Sequence, residues 1–264
     1  MDLQLNSKTA FISGSTQGIG FAIARLLLLE GATVIINGRT AERVADAVNR
    51  LTQEMPEAKV SGIAADFAHV AQVQALVDAL PEIDILVNNV GLFELKEFAD
   101  IQDEDWYRLF EVNVLSGIRL ARVLLPKMLA RNWGRVLFIS SESAVHIPAN
   151  MIHYGMTKTA MLSISRGLAE LTKNTGVTVN SILGGPTYSE GVADAVQHLA
   201  GAQNRPVEEV KSNLMQALNP TSLLQRFLEP AELASLVAYL ASPLSLATNG
   251  AALRADGGIL TTIL

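Results

Sequence analysis

The sequence predicts an α/β protein with a doubly wound parallel sheet of about seven strands and helices on both faces. Two observations indicate this fold. Short apolar runs alternate with stretches of helical apolar spacing in the first third of the chain, and the alternation continues with longer helices in the second half. Because parallel strands need crossover connections, a helix between strands is typical of such a sheet. No linker-like stretch rich in Pro, Ser or Gly interrupts the 264 residues, so we expect a single domain over residues 1–264.

Each predicted element follows from its local pattern. Short apolar runs, often rich in β-branched residues, predict the strands. In chain order these are Thr9–Ser13, Thr33–Ile36, Val60–Ala65, Ile83–Val87, Arg135–Ser140, Val177–Ile182 and Ala251–Ala255. Apolar residues at helical spacing predict the helices. These are Gly18–Glu30, Ala41–Glu54, Val70–Leu80, Asp103–Arg131 (one helix or a pair), Tyr154–Lys173 and Ala231–Ala241.

The segment from Pro186 to Glu229 carries no strand pattern and several helix-compatible patches. Since α/β enzymes place long insertions after the carboxyl end of a strand, we expect a helical substrate lid here. A helical hairpin that only packs is the alternative. The apolar residues of the segment favour a hydrophobic or bulky substrate; they include Met215, Leu218, Leu223 and Leu224.

Composition excludes several functional classes. The 49% apolar and 17% charged residues are typical of a globular protein with a large core. Twenty basic residues against 26 acidic ones argue against a nucleic-acid partner, and zero cysteines exclude disulfides and thiolate metal sites. No apolar run approaches the ~18 residues of a membrane span, and the first ten residues lack a secretion signal. His146 and His153 lack matching carboxylates, so no metal is expected. We therefore expect a soluble, cytoplasmic protein.

A glycine-rich loop follows the first strand and leads directly into the first helix. It reads Gly14-Ser15-Thr16-Gln17-Gly18-Ile19-Gly20. Glycines permit a tight turn and let backbone amides approach a pyrophosphate at the positive end of the helix. The position of the loop between the first strand and the first helix predicts a dinucleotide-binding site.

The end of the second strand indicates which dinucleotide is bound. This position normally meets the adenosine ribose, where an acidic residue favours NAD and repels a 2′-phosphate. Here the stretch Ile36–Thr40 has no acid before Glu42, while Arg39 offers a planar fork suited to phosphate. NADP(H) is therefore favoured over NAD(H). The alternative is that Arg39 is only a solvated loop arginine.

A tyrosine, a lysine and a serine suggest the chemistry. Tyr154 and Lys158 are four residues apart at the start of a helix, so they share one face, and Ser141 follows the fifth strand. A nearby ammonium and a cationic nicotinamide would lower the tyrosine pKa from near ~10. Tyr154 could then donate a proton to a developing alkoxide while Ser141 hydrogen-bonds the same oxygen. This arrangement suits carbonyl reduction.

Together these motifs resemble the short-chain dehydrogenase/reductase family over essentially the whole chain. The glycine loop is similar to the family's TGxxxGIG, with Ser13 in place of Thr. Asn88-Asn89-Val90-Gly91 is similar to its NNAG, with Val90 replacing Ala. Asn113 stands at the family's active-site asparagine position, forty-one residues before Tyr154. Asp66 stands where a family aspartate contacts the adenine.

The resemblance implies a seven-stranded Rossmann sheet and a catalytic set of Asn113, Ser141, Tyr154 and Lys158. Tyr154 would be the acid/base, Lys158 would hold the nicotinamide ribose and tune Tyr154, Ser141 would orient the carbonyl, and Asn113 would anchor a proton-relay water. The implied cofactor contacts are Gly14, Ser15, Thr16, Gln17, Gly18, Ile19, Gly20, Arg39, Asp66, Phe67, Asn89, Val90, Gly91, Tyr154, Lys158, Gly185, Thr187 and Ser189. Family members are commonly tetramers, which implies a homotetramer here.

Two departures from the family pattern concern the cofactor. After the sixth strand the chain has Gly184 where the family has Pro, and Ser189 where it has Thr. Ser189 keeps a hydroxyl, so cofactor binding is expected to survive. Gln17 replaces the basic residue that many NADP-dependent members carry in the glycine loop, which counts against the NADP assignment.

The leading hypothesis is an NADP(H)-dependent reductase of a ketone/secondary-alcohol pair, with a small-molecule substrate. The runner-up is a 3-oxoacyl-carrier-protein reductase-like enzyme, which would favour a basic docking patch within Arg119–Arg135. A non-catalytic NADP-sensing protein is a further alternative, although such relatives typically lack the Tyr or the Lys and this chain has both Tyr154 and Lys158. The missing second-strand acid argues against an NAD-using dehydrogenase.

Overall fold

The computed structural model describes residues 2–263, and within them seven strands form one sheet in the order β3-β2-β1-β4-β5-β6-β7. All neighbouring strands are parallel. The strands are β1 (Thr9–Ile12), β2 (Thr33–Gly38), β3 (Val60–Ala64), β4 (Ile85–Asn88), β5 (Gly134–Ser141), β6 (Val177–Gly184) and β7 (Ala252–Ala255). The predicted parallel sheet is confirmed. Strand order reverses between β1 and β4, and ligands of such sheets bind outside the carboxyl ends of the strands at this point.

Each helix predicted from apolar spacing is present, one of them interrupted, and the predicted lid segment adds two more. In chain order they are α1 (Gly18–Leu29), α2 (Ala41–Glu54), α3 (Val70–Ala79), α4 (Asp103–Phe110), α5 (Ser116–Ala130), α6 (Ile152–Glu170), α7 (Glu190–Gln203), α8 (Val207–Leu218) and α9 (Pro230–Ala241). The predicted helix or helix pair Asp103–Arg131 is a pair, α4 and α5, joined by the π-helical turn Glu111–Leu115.

The core lies on both faces of the sheet. On β1, Ala10 and Ile12 pack into one apolar cluster with α1 and α9, whereas Phe11 packs into the other with α3, α5 and α6. This alternation arises because successive side chains of a strand point to opposite faces. Helices on both faces, as predicted, explain why the strands read as continuous apolar runs.

The predicted lid segment contains the two helices α7 and α8, followed by irregular chain over residues 219–229, and a bridge between Thr187 and Leu228 joins its two ends. Its helices α7 and α8 pack on each other through Val196, Ala200 and Val210. Met215 is buried, but Leu218 and Leu223 are exposed, so the apolar residues of the segment do not form one inward surface.

The basic residues of the Arg119–Arg135 stretch do not all lie together on the surface without acidic partners. Arg119 pairs with Glu111 and Arg131 pairs with Glu82. Arg135 lies on β5 and is only 1% exposed. In residues 2–263, no helix is both long enough and apolar enough to cross a bilayer.

Candidate active site

The glycine loop is braced by two asparagines. The Asn37 Oδ1 atom accepts a hydrogen bond from the Gly14 N–H at 3.0 Å, and the Asn89 Nδ2 atom donates to the carbonyls of Ser13 and Gly14 at 3.0 and 2.8 Å. Gly14 has a φ of +61°, in the left-handed region that favours glycine. A Cβ on Gly20 would lie 2.5 Å from Asn89 Nδ2. These contacts fix the loop at the carboxyl ends of β1 and β4.

A carboxylate lies on the amino end of α1. The Gly18 N–H donates to Glu190 Oε2 at 2.6 Å, whereas the N-cap residue Gln17 makes no side-chain cap and the first turn of α1 holds no acid. The first amides of a helix lack partners within the helix and attract anions. The Glu190 carboxylate therefore stands in for an anion, and the loop fits the pyrophosphate of a dinucleotide.

The other predicted phosphate-loop residues differ in what their side chains can offer. The Ser15 hydroxyl donates to Ile12 O at 2.7 Å and accepts from Asn37 N, so it is committed to the loop itself. The Thr16 side chain packs over Gly38 at the end of β2, since a Cβ placed on Gly38 would lie 2.5 Å from Thr16 Cγ2. Ile19 is partly buried against the core, and Val90 packs against Gly14.

The predicted adenosine end of the site lies beyond β2 and β3. Arg39 is exposed, and among the described residues no carboxylate pairs with its guanidinium. The Asp66 carboxylate belongs to a partly buried residue and accepts a hydrogen bond from Ala68 N at 2.9 Å. Phe67 is buried in the core, so only its backbone can face a cofactor.

The segment after β6 adjoins the glycine loop. The Thr187 hydroxyl donates to the Gly185 carbonyl at 2.9 Å, and the Gly185 N–H bonds to Ala255 O. The Ser189 Cβ atom lies 3.3 Å from the position a Cβ would take on Gly18. Ser189 is thus close to the amino end of α1. Contacts of Gly185, Thr187 and Ser189 with a cofactor stay a prediction.

The four predicted catalytic side chains come from three places in the fold. Ser141 ends β5, Tyr154 and Lys158 lie in the first two turns of α6, and Asn113 lies in the π-helical turn. Lys158 Nζ is 5.6 Å from the centre of the Tyr154 ring and donates to Ile139 O at 2.9 Å.

Gly91 lies beside two of these side chains, Lys158 and Asn113. A Cβ placed on Gly91 would lie 3.4 Å from Lys158 Nζ and 3.7 Å from Asn113 Oδ1. The Asn113 side chain accepts from Leu92 N and donates to Leu92 O and to Thr157 Oγ1, at 2.7, 2.9 and 3.0 Å. Its amide therefore clamps the segment after β4 to α6, and a role in anchoring water stays a prediction.

The electrostatics of Tyr154 differ from the sequence-based expectation. Burial raises the pKa of the Tyr154 phenol, Glu142 raises it further, and a hydrogen bond with Ser141 opposes them. The pKa is raised on balance because loss of hydration and the Glu142 charge outweigh the hydrogen bond with Ser141. Lowering of this pKa by Lys158 together with a cationic nicotinamide stays a prediction. Burial lowers the pKa of Lys158 to about 8, with Glu142 partly opposing this. At neutral pH Tyr154 is a neutral phenol, the form that can donate a proton.

Glu142 is not among the site residues predicted from sequence. Its Oε2 atom accepts from the Ser141 hydroxyl at 2.5 Å, and its Oε1 atom accepts from the Ser143 hydroxyl at 3.1 Å. Burial raises the pKa of this carboxyl. Its position directly after Ser141, at the edge of the sheet where the site lies, was the available signal.

His153 is buried beside Tyr154. Its Nε2 atom lies 3.6 Å from Glu94 Oε2, and its ring meets the Trp106 ring edge-on at 5.9 Å. Within residues 2–263, no three His, Asp or Glu side chains are grouped so that they could hold a metal ion.

Comparison with known proteins identifies the family. The family model described as short chain dehydrogenase matches residues 8–200. The chain belongs to the short-chain dehydrogenase family. One relative, the uncharacterized oxidoreductase YvaG of Bacillus subtilis (strain 168), is 48% identical over 263 residues, covering all of both chains. The D-beta-hydroxybutyrate dehydrogenase of Cupriavidus necator is 31% identical over 258 residues, covering 96% of this chain and 98% of the relative.

Solved structures agree with this assignment. L-sorbose reductase from Gluconobacter frateurii, complexed with NADPH and L-sorbose, has a TM-score of 0.93 at 30% identity, with all of both chains covered. As a short-chain dehydrogenase, the protein is an oxidoreductase that acts on CH–OH or C=O groups.

Proposed function

We propose that the protein is an NADPH-dependent ketone reductase in which Tyr154 is the acid/base. The observation that carries this proposal is the position of Tyr154, a phenol kept neutral by burial, next to Lys158 and within hydrogen-bonding reach of Ser141. A neutral phenol is the form that can protonate the oxygen of a ketone during reduction.

NADPH would supply the hydride that is added to the carbonyl carbon. Tyr154 donates a proton to the carbonyl oxygen, and the Ser141 hydroxyl hydrogen-bonds the same oxygen and so stabilises its developing charge. Lys158 donates one hydrogen bond to Ile139 O. This bond holds the ammonium near Tyr154, whose phenolate forms when the proton is transferred. Asn113 fixes the segment that follows β4 against α6.

The residues that would hold the cofactor follow the carboxyl ends of several strands. The amides at the start of α1 would bind the pyrophosphate, since Gly18 already binds a carboxylate. Arg39 would pair with the 2′-phosphate, and Asp66 would meet the adenine. Ser189, whose Cβ lies 3.3 Å from the position a Cβ would take on Gly18, would offer its hydroxyl to the phosphates or the carboxamide, and Gly185 and Thr187 would contact the cofactor nearby.

Three observations support this choice over the alternatives. No acid stands between Asn37 and Glu42 to favour NAD. Arg135 is buried, and both Arg119 and Arg131 are paired, which weakens the basic docking patch that a carrier-protein substrate would favour. The structurally similar L-sorbose reductase binds NADPH and an uncharged ketose. The expected homotetramer is part of the proposal and is testable by light scattering.

Titration of the pure protein with NADPH and with NADH, followed by nicotinamide fluorescence, tests the proposal. Tighter binding of NADPH is expected, followed by NADPH oxidation on addition of a ketone from a screening panel. Tighter binding of NADH would overturn the cofactor assignment and leave the Ser–Tyr–Lys chemistry standing. If neither nucleotide binds, the reductase proposal is wrong.

A further inference from the structure

A carboxylate is built into the proposed catalytic site. Glu142 Oε2 accepts a hydrogen bond from the Ser141 hydroxyl at 2.5 Å, and this hydroxyl would hydrogen-bond the substrate oxygen. Ser143, which is itself buried, donates to the other carboxylate oxygen at 3.1 Å. The Ser143 N–H also donates to Ser141 Oγ, at 3.1 Å, and so fixes the direction in which this hydroxyl points.

The charge of Glu142 acts on both neighbouring catalytic groups. Among the described residues, it is the one whose charge perturbs Tyr154 and Lys158 alike. Lys158 Nζ is the nearby positive group, and it is held on the carbonyl of Ile139 on the β5 side. A substrate bound between Ser141 and Tyr154 therefore meets a negative charge immediately beside its carbonyl group.

Substrate binding must rearrange the hydrogen bonds of Glu142. The Ser141 hydroxyl has one hydrogen, so it cannot donate to a substrate oxygen and to Glu142 at once. When the Ser141 hydroxyl turns to the substrate, Glu142 Oε2 loses this hydrogen bond, while the backbone N–H groups of Glu142 and Ser143 still face the carboxylate. Loss of a charge-assisted hydrogen bond by a largely buried carboxylate is costly, so we expect a productive substrate to supply a replacement donor.

We propose that Glu142 determines the substrate class: an uncharged ketone that carries a hydroxyl group one or two carbons from the carbonyl, with keto acids excluded. This inference rests on the proposed ketone reductase function. The substrate hydroxyl donates to Glu142 Oε2 in place of Ser141, and Ser141 turns to the carbonyl oxygen. A keto acid would instead bring a second negative charge against Glu142 with no hydrogen to donate. An amino ketone would donate to Glu142 but bring a second ammonium toward Lys158.

A matched pair of ketones tests this inference. Hydroxybutanone (4-hydroxy-2-butanone) and acetoacetate share their methyl ketone and differ in an alcohol or a carboxylate at the far end. We expect the wild-type enzyme with NADPH to have a kcat/KM at least about tenfold higher for hydroxybutanone. Glu142→Gln, which removes the charge at nearly constant shape, is expected to reduce this preference at least about tenfold.

Ser143→Ala is the matched control, because it removes one hydrogen-bond donor to Glu142 and keeps the carboxylate. We expect its preference to stay within about threefold of the wild-type value, since the charge is unchanged. Where turnover is too slow to measure, dissociation constants of the two ketones for the enzyme–NADPH complex replace kcat/KM. Three outcomes would overturn this inference but not the proposed function. They are equal use of the two ketones by the wild-type enzyme, binding of neither ketone, and an unchanged preference in Glu142→Gln. Failure of the protein to bind NADPH or NADH would instead overturn the proposed function.

Discussion

The carboxylate of Glu190 accepts a hydrogen bond from the backbone N–H of Gly18, with 2.6 Å between Oε2 and the nitrogen, although the two residues are 172 positions apart. Glu190 is the first residue of α7, and Gly18 is the first residue of α1. The bond therefore joins the proposed lid to the loop that would bind phosphate. A carboxylate of the protein itself thus occupies an amide that a cofactor phosphate would need.

Replacement of Glu190 by Gln is expected to tighten NADPH binding about three- to tenfold. The carboxylate must leave the Gly18 amide when a phosphate arrives, and it would repel that phosphate if it stayed close. Fluorescence titration with NADPH at low ionic strength measures the effect. Glu208→Gln, on α8, is the control, because its carboxylate pairs with Lys211. Weaker binding in Glu190→Gln would show instead that this bond holds the loop in its binding shape.

Tyr154→Phe is expected to lower kcat about 10²- to 10⁴-fold, since it removes the proton donor and keeps the ring. The dissociation constant of NADPH should stay nearly unchanged. Initial rates with NADPH and a ketone found by screening measure the first effect, and fluorescence titration measures the second. Tyr107→Phe serves as the control, because Tyr107 is 72% exposed. Retained turnover in Tyr154→Phe would refute the assignment of the acid.

Arg39→Ala is expected to weaken NADPH binding about 10- to 100-fold and NADH binding far less. The exposed guanidinium would lose its pairing with a 2′-phosphate, a group that NADH lacks. Parallel titrations with both nucleotides give the ratio. Arg43→Ala, in the first turn of the neighbouring helix α2, is the matched control. Equal losses for the two nucleotides would show that Arg39 does not recognise the phosphate.

The central strands of the sheet were predictable from sequence because they are buried on both faces, whereas the edge strands β3 and β7 are partly exposed. The central strands therefore appear as apolar runs, and the Gly14–Gly20 loop follows from its place after the first of them. Strands β5 and β6 extend beyond their predicted ends, to Ser141 and Gly184, since those two residues pair in the ladder despite lacking an apolar pattern. The π-helical turn around Asn113 has no signature in the apolar spacing that indicates α4 and α5.

Part of the candidate site depends on contacts that sequence patterns do not contain. The bond between Glu190 and Gly18 forms only after the segment that follows β6 packs over α1. The raised pKa of Tyr154 depends on burial and on the direction of the Glu142 side chain. Ser141, Tyr154 and Lys158 could be proposed from spacing, whereas the charge that surrounds them required the structure.

The buried ammonium of Lys158 is expected to make stability depend on pH. Its pKa falls from 10.5 to about 8 on folding, so between these values the unfolded chain binds more protons and the free energy of unfolding rises with pH. Lys158→Met should therefore be more stable than wild type at pH ~7, by up to about 3 kcal/mol, while losing activity. The difference should shrink as the pH rises toward ~9.5.

Thermal unfolding of both proteins at several pH values measures this dependence. Lys173→Met is the control, because Lys173 is exposed and pairs with Glu170 at the end of α6. Its substitution should leave the slope between pH ~8 and ~9.5 unchanged. If the stabilities of wild type and Lys158→Met change with pH in parallel, burial does not lower the pKa of the Lys158 ammonium.

Among the arginines, Arg135 is expected to contribute most to the free energy of unfolding. Its guanidinium is buried and donates to three backbone carbonyls, those of Gly134, Gly176 and Ser242, which tie β5 to the start of β6 and to the end of α9. Burial lowers its pKa to about 10, so it stays charged at neutral pH. Arg135→Ala removes three hydrogen bonds to these carbonyls and opens a cavity. We expect a loss of about 3 kcal/mol in the free energy of unfolding.

Urea unfolding at neutral pH measures this loss. Arg122→Ala is the matched control, since Arg122 is exposed on α5, and it should change stability by less than about 0.5 kcal/mol. Arg135→Lys should fall between the two, because an ammonium keeps the charge but cannot reach three carbonyls in the geometry of the planar guanidinium. A loss below about 1 kcal/mol in Arg135→Ala would mean that water replaces the arginine and satisfies the same carbonyls.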